Sequence, residues 1–140
     1  MKSCFLSITL LIFYGQLFSQ ELTKDSLTGT WKVISSQVLS DNEMKLDAEG
    51  AKKMESFRKG FIGSKFIFGS DSKFKLTFQP ESPAMLKEIF TINNKSWDIA
   101  KDIIRIGGKE NIMKIIVKKI ENKTFFLLDE SPFFLEVIKL

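Results

Sequence analysis

The chain contains no histidine, and its single cysteine, Cys4, lies at the extreme start. Without an imidazole there is no Ser-His-Asp or Cys-His nucleophile pair, and no His or Cys set to hold zinc. One thiol makes no intrachain disulfide, whatever the compartment permits. No catalytic residue, metal ligand or cofactor is therefore assigned. Carboxylates remain, but Asp129 and Glu130 are neighbours, and adjacent strand residues point to opposite faces unless a turn redirects them. Asp41, Glu43 and Asp47 are acidic enough to attract calcium yet lack the glycine and spacing of an EF-hand loop. Solvated loop charge accounts for both groups.

Long apolar runs are missing too. The longest, Cys4 to Tyr14, falls short of the roughly 20 residues that span a bilayer. It follows Met1-Lys2-Ser3 and relaxes into Gly15-Gln16-Leu17-Phe18-Ser19, the order of a secretory signal peptide. Residues 1–19 are read as that peptide, with cleavage after Ser19 or Gln20, and 20–140 as one domain. Cys4 precedes the run, where a lipoprotein cysteine would follow it. The expected product is periplasmic or secreted, has no membrane span, and loses Lys2, so the formal charge of +4 falls to +3. Its lysines are scattered rather than massed, and no nucleic-acid partner is expected.

What the chain does have is alternation. Residues 27–38 read as a first strand, with Trp31, Val33 and Ser35 on one face and Lys32, Ile34 and Ser36 on the other, after a polar leader over 21–26. Residues 64–68 and 73–78 form the clearest period-two hairpin: Phe66 and Phe68, then Phe74, Leu76 and Phe78, alternate with a partly charged face across Gly69-Ser70-Asp71-Ser72. Residues 89–99 are taken as a fourth strand carrying Trp97 and bulged at Asn93-Asn94. Shorter strands follow at 103–106, at 112–120 with Met113, Ile115 and Val117 on one face, at 124–128, and at 133–139 with Phe133, Leu135 and Val137 in phase. Between the first two strands, Asp47 caps a short amphipathic helix, Ala51, Met54 and Phe57 make its stripe, and Gly60 ends it. Pro83 opens a brief helical turn before the fourth strand.

Leu27-Thr28-Gly29-Thr30-Trp31 at the head of this strand succession resembles the G-x-W signature of the lipocalins, in particular the small secreted lipocalin-like domains of bacteria. Trp97 resembles a second tryptophan position of those domains, with Lys95 where they often have glycine, a departure that bears on the subfamily rather than on the barrel. The resemblance implies an all-β fold, an eight-stranded up-and-down antiparallel barrel with Trp31 at its closed end. It also implies a basic residue from the last strand across that ring, the position of Lys139. Eight is an even number, so the last strand runs antiparallel to the first and closure removes the exposed edges. The long 39–63 connection and the proline-bearing loops then fall at the mouth, opposite Trp31.

Two uses follow from such a cup. The resemblance implies a small hydrophobic or amphipathic ligand, a fatty acid or lipid among the candidates. Trp31, Val33, Phe66, Phe68, Phe74, Leu76, Phe78, Trp97, Met113, Ile115, Val117, Phe133 and Leu135 would line it, with Met54, Phe57 and Phe61 as a lid. The alternative is an interaction module whose phenylalanines fill the interior, leaving Phe57, Phe61 or the 129–132 loop to meet a protein partner. Arg105 is a surface charge if Ile104 and Ile106 face inward, which buries two isoleucines; facing inward itself, it would be the partner of an anionic ligand.

Overall fold

The period-two hairpin at the centre of the sequence sets the pattern for the whole chain. Side chains alternate across a pleated strand, so each strand offers one apolar face, and a sheet curled on itself buries all of those faces together. The structure, a computed structural model, describes residues 22–39 and 47–140. The expected signal peptide over 1–19, leader residue Glu21, and Asp41 and Glu43 lie outside them.

Eight strands follow in order: β1 (Gly29–Val38), β2 (Lys65–Phe68), β3 (Lys73–Thr77), β4 (Ile92–Ala100), β5 (Ile103–Ile106), β6 (Met113–Ile120), β7 (Lys123–Leu128) and β8 (Phe133–Lys139). Each pairs antiparallel with the next, and β8 returns to β1, closing the barrel. Trp31 sits opposite Phe66 on β2 and Lys139 on β8. Among the described residues, three α-helices accompany the sheet: α1 (Lys24–Leu27), α2 (Ala48–Phe61) and α3 (Ala84–Phe90). None of the described helices is long and apolar enough to cross a membrane.

The expected leader is structured rather than loose. The Thr23 hydroxyl accepts from the Ser26 amide at 3.1 Å, and the Ser26 hydroxyl accepts from the Thr23 amide at 3.1 Å. This reciprocal cap holds a single helical turn, which places Leu27 fully buried under the barrel floor and delays β1 to Gly29. The expected phase of β1 also fails beyond Val33. A bulge between Val33 and Ser35 reverses the alternation, so Ser36 rather than Ser35 is buried.

Asp47 caps α2 as expected, its carboxylate accepting from the Gly50 amide at 2.7 Å. Ala51 is exposed, and the inner stripe is Met54, Phe57 and Phe61. Gly60 does not end the helix. It lies within the last turn because α3 passes so closely: a Cβ there would be 2.6 Å from Leu86 Cδ2 and 2.7 Å from Pro83 Cδ. The reversal comes at Gly63, whose φ of 87° belongs to glycine.

The fourth strand begins at Ile92, not at Ile89. Once Pro83 has opened α3, the helix runs on to Phe90, leaving Ile89 at 59% exposure on its outer side. The bulge at the asparagines is present: Phe74 pairs with Lys95 but Leu76 with Ile92, and Asn94 takes a φ of 58°. Phe78 falls just beyond β3, half-buried against Phe61.

Gly60→Ala is expected to destabilise the protein by about 1–3 kcal/mol, the range for overpacking a tight contact, although alanine is the better helix former. Urea unfolding monitored by tryptophan fluorescence measures it. An unchanged midpoint would mean that α2 and α3 do not meet at this residue.

Candidate functional site

The floor of the barrel is built around two indoles. The Trp31 Nε1 donates to the Leu27 carbonyl at 2.8 Å, and its ring packs 5.7 Å from Phe126. From the end of β8, the Lys139 ammonium stands 5.9 Å from the centre of the Trp31 ring and donates to the Ser26 carbonyl at 3.0 Å. The contact is at the outer limit of a cation–π pair, and the hydrogen bond fixes it there. Gly29 has a matching reason: its φ is 135°, and a Cβ would lie 2.9 Å from Lys139 Cε. The glycine two residues before Trp31 leaves room for the lysine stem. Trp97 is treated alike, with its Nε1 donating to Gly69 O at 3.1 Å and Lys24 Nζ 5.1 Å from the ring. Helix α1 thus closes this end.

Above the floor the interior is occupied by its own side chains. Phe68 lies 5.0 Å from both Phe74 and Trp97, and Phe66 lies 5.4 Å from Phe126. Val33, Leu76, Ile115 and Leu135 are fully buried, and Val117 nearly so. At the mouth, Phe61 sits 4.9 Å from Phe133, 5.3 Å from Phe90 and 5.5 Å from Phe78. The expected lid is therefore a plug. Phe61 is entirely buried and offers nothing to a protein partner, while Met54 and Phe57 are half-buried beside it. All the expected wall residues face inward, with Met113 and Phe78 only half-buried.

Arg105 is not among the inner groups. It faces outward, its Nε donating to the Asp98 carboxylate at 2.8 Å across β4 and β5, because Ile104 and Ile106 take the two buried places. Phe126 and Leu128 belong to the interior and were not anticipated. They alternate with Phe125 and Leu127, so all four residues are apolar and period two selects no face. Ile106 fills the wall between Trp97 and Met113, and Ile104 between Ile99 and Ile115.

Two features make the mouth uneven. Strand β5 stops at Ile106, so the first half of β4 faces a short 3-10 turn, Gly108–Glu110, instead of a strand. Lys95, which shares the inward register of Phe74, reaches across this gap to Glu110 at 3.2 Å. Beside the same loop lies a cleft of about 250 Å³. Phe90, Met113 and Leu128 form its apolar floor, and Asn111, Lys114, Asp129, Glu130 and Ser131 its polar rim. Asp129 and Glu130 are both exposed, with Glu130 at a φ of 62°, in the turn that follows β7.

Comparisons of the chain with protein-family models, curated proteins and solved structures find no match. The site is therefore argued from its own geometry.

Across the mouth, α2 is fastened to β1. Arg58 pairs with Glu55 at 2.6 Å and 2.9 Å, and its other nitrogen donates to the Ser36 carbonyl at 3.1 Å. The Arg58 hydrogen bond holds the Glu55 carboxyl below the usual carboxylate range. Just inside, the Ser36 hydroxyl is buried and, among the described residues, has no hydrogen-bond partner.

Three outcomes are expected. Gly29→Ala lowers stability by about 1–2 kcal/mol through its positive φ and the displaced Lys139, read from denaturant melts. Ser36→Ala is neutral or stabilising by up to about 1 kcal/mol, since it removes an unpaired buried hydroxyl. A depressed folded pKa contributes stability above the unfolded value that is lost as pH falls through the folded one. Protection of the α2 amides, corrected for their slower intrinsic exchange in acid, should therefore fall modestly below about pH 4, and Arg58→Ala should reduce that loss.

Proposed function

We propose that the chain is an exported lipocalin-like protein that holds a small hydrophobic or amphipathic molecule, such as a fatty acid or lipid, at the barrel mouth. The depth of the barrel is already filled by Phe66, Phe68, Phe74, Trp97 and Phe126, which leaves no reason to place a ligand there. The mouth cleft carries the reading. There the half-buried Phe90 and Met113 keep apolar surface beside a polar rim, the combination by which small-molecule sites grip a tail and orient a head. Lys114 is the rim cation for an anionic head, a role that Arg105, paired with Asp98 outside, does not fill. The export reading rests on the order of Lys2, the apolar run and Ser19.

A second reading, an interaction module with a filled barrel, is favoured by the same aromatic packing: an occupied interior leaves the surface to do the work.

Titration with an apolar fluorescent probe, followed by displacement with a medium-chain fatty acid, tests the first reading. One site is expected. Met113→Arg should weaken it by at least about tenfold, on the order of 1.4 kcal/mol, and Arg105→Gln should leave it unchanged. No binding, or binding indifferent to Met113→Arg, overturns the mouth site in favour of the second reading.

A further inference from the structure

The outer wall of a soluble barrel is ordinarily polar, and on β2 and β3 it is: Lys65, Lys73 and Lys75 point to solvent. The opposite side differs. Ile103, Ile116, Leu127 and Phe134 are successive partners in register across β5, β6, β7 and β8, and all face away from the core. Beside that row, Phe125 stacks on Phe134 with ring centres 4.7 Å apart and planes 4° from parallel. Ile138 continues the patch at 43% exposure, and Ile103 is 37% exposed. Strands near 4.8 Å apart make the apolar field about 14 Å wide, which approaches the few hundred Å² at which a surface patch on a monomer is commonly functional.

Charge decides what covers it. Lys118 on β6 and Glu136 on β8 flank Phe125 in one register row, opposite signs on opposite sides of β7. A two-fold axis lying in the contact plane along β7 brings β6 of one copy over β8 of the other. Lys118 then faces Glu136 of the second copy, twice, while Ile116 faces Phe134. An axis across the strands pairs neither charge. Self-complementarity of this kind is what an isologous contact requires.

We propose that this face is a self-association surface on which a second copy of the chain docks through the Phe125 and Phe134 stack, with its register set by Lys118 and Glu136. The apolar field is smaller than the roughly 800 Å² per partner of a standard interface, so the dimer is weak and depends on concentration. It lies on the outer wall and does not rest on a ligand at the mouth.

Sedimentation velocity of the full chain from micromolar to millimolar concentration tests it, with circular dichroism confirming that each variant is folded. A monomer–dimer equilibrium is expected. Lys118→Glu and Glu136→Lys, both on the surface, should each weaken it by about tenfold or more through like-charge contact. The double reversal, Lys118→Glu with Glu136→Lys, should restore it to within about threefold, since the pair is then rebuilt with its signs exchanged. A monomer throughout overturns the proposal, as does a dimer indifferent to either reversal or one that the double reversal fails to rescue. A monomer that instead sediments with phospholipid vesicles assigns the patch to a membrane surface and overturns it equally.

Discussion

Closure of β8 onto β1 around Trp31 is the constraint from which the rest follows. A strand at the edge of a sheet presents unpaired amides, and here each of the eight strands has two neighbours. The seam is the chain's most distant strand pairing, and both of its ends are locked. At the floor, Lys139 crosses Gly29 to reach Trp31 and Ser26. At the mouth, the Leu39 amide donates to Pro132 O at 2.8 Å. Once the seam is shut, the circumference is fixed, and an eight-stranded barrel is narrow enough for side chains to fill it. Six aromatic rings at the floor and a second group around Phe61 at the mouth do so.

How much of this is legible in the sequence depends on whether a segment's two faces differ. In the hairpin from Lys65 to Thr77, phenylalanine and leucine alternate with lysine, isoleucine and threonine, and the buried residues can be read off directly. In β7 the run Phe125-Phe126-Leu127-Leu128 has no polar face, so its inner pair is fixed only by the register with β6 and β8. Ile89 reads as strand because isoleucine favours extended chain, but Pro83 had already started a helix, and the helix ran until Thr91. The bulge after Val33 is likewise invisible locally. It arises where β1 bends away from β2, its last bonds on that side being those of Val33 with Gly63 and Ser64, and follows β8 to Val38.

The candidate mouth site was only half legible for a related reason. Met113 could be placed on an inner face by alternation, but a cleft needs two loops and a helix end brought together. Phe90 arrives from α3, and Ser131 from beyond β7. Their proximity is set by the stagger of the strands around the barrel, a tertiary quantity with no trace in any one segment.

That stagger also explains why the mouth is capped on one side and open on the other. Helix α2 spans from β1 to β2, with Arg58 tying it to Ser36, so its stripe of Met54, Phe57 and Phe61 covers the side of the barrel near the seam. Across the mouth, β5 ends at Ile106 opposite Trp97, so from Ser96 back to Ile92 β4 pairs with β3 alone, and on its other side a loop closes the wall with Lys95 and Glu110 in place of a ladder. Both side chains of that bridge are substantially exposed, so it contributes well under the stability of the strand hydrogen bonds it replaces. The weakest stretch of wall therefore adjoins the loop that lines the cleft. Movement there would widen the cleft without disturbing the aromatic layers below, because Trp31, Phe66 and Phe68 are anchored from the opposite end. A packed floor and a more weakly bonded rim in one small barrel are compatible with the binding site proposed at its edge.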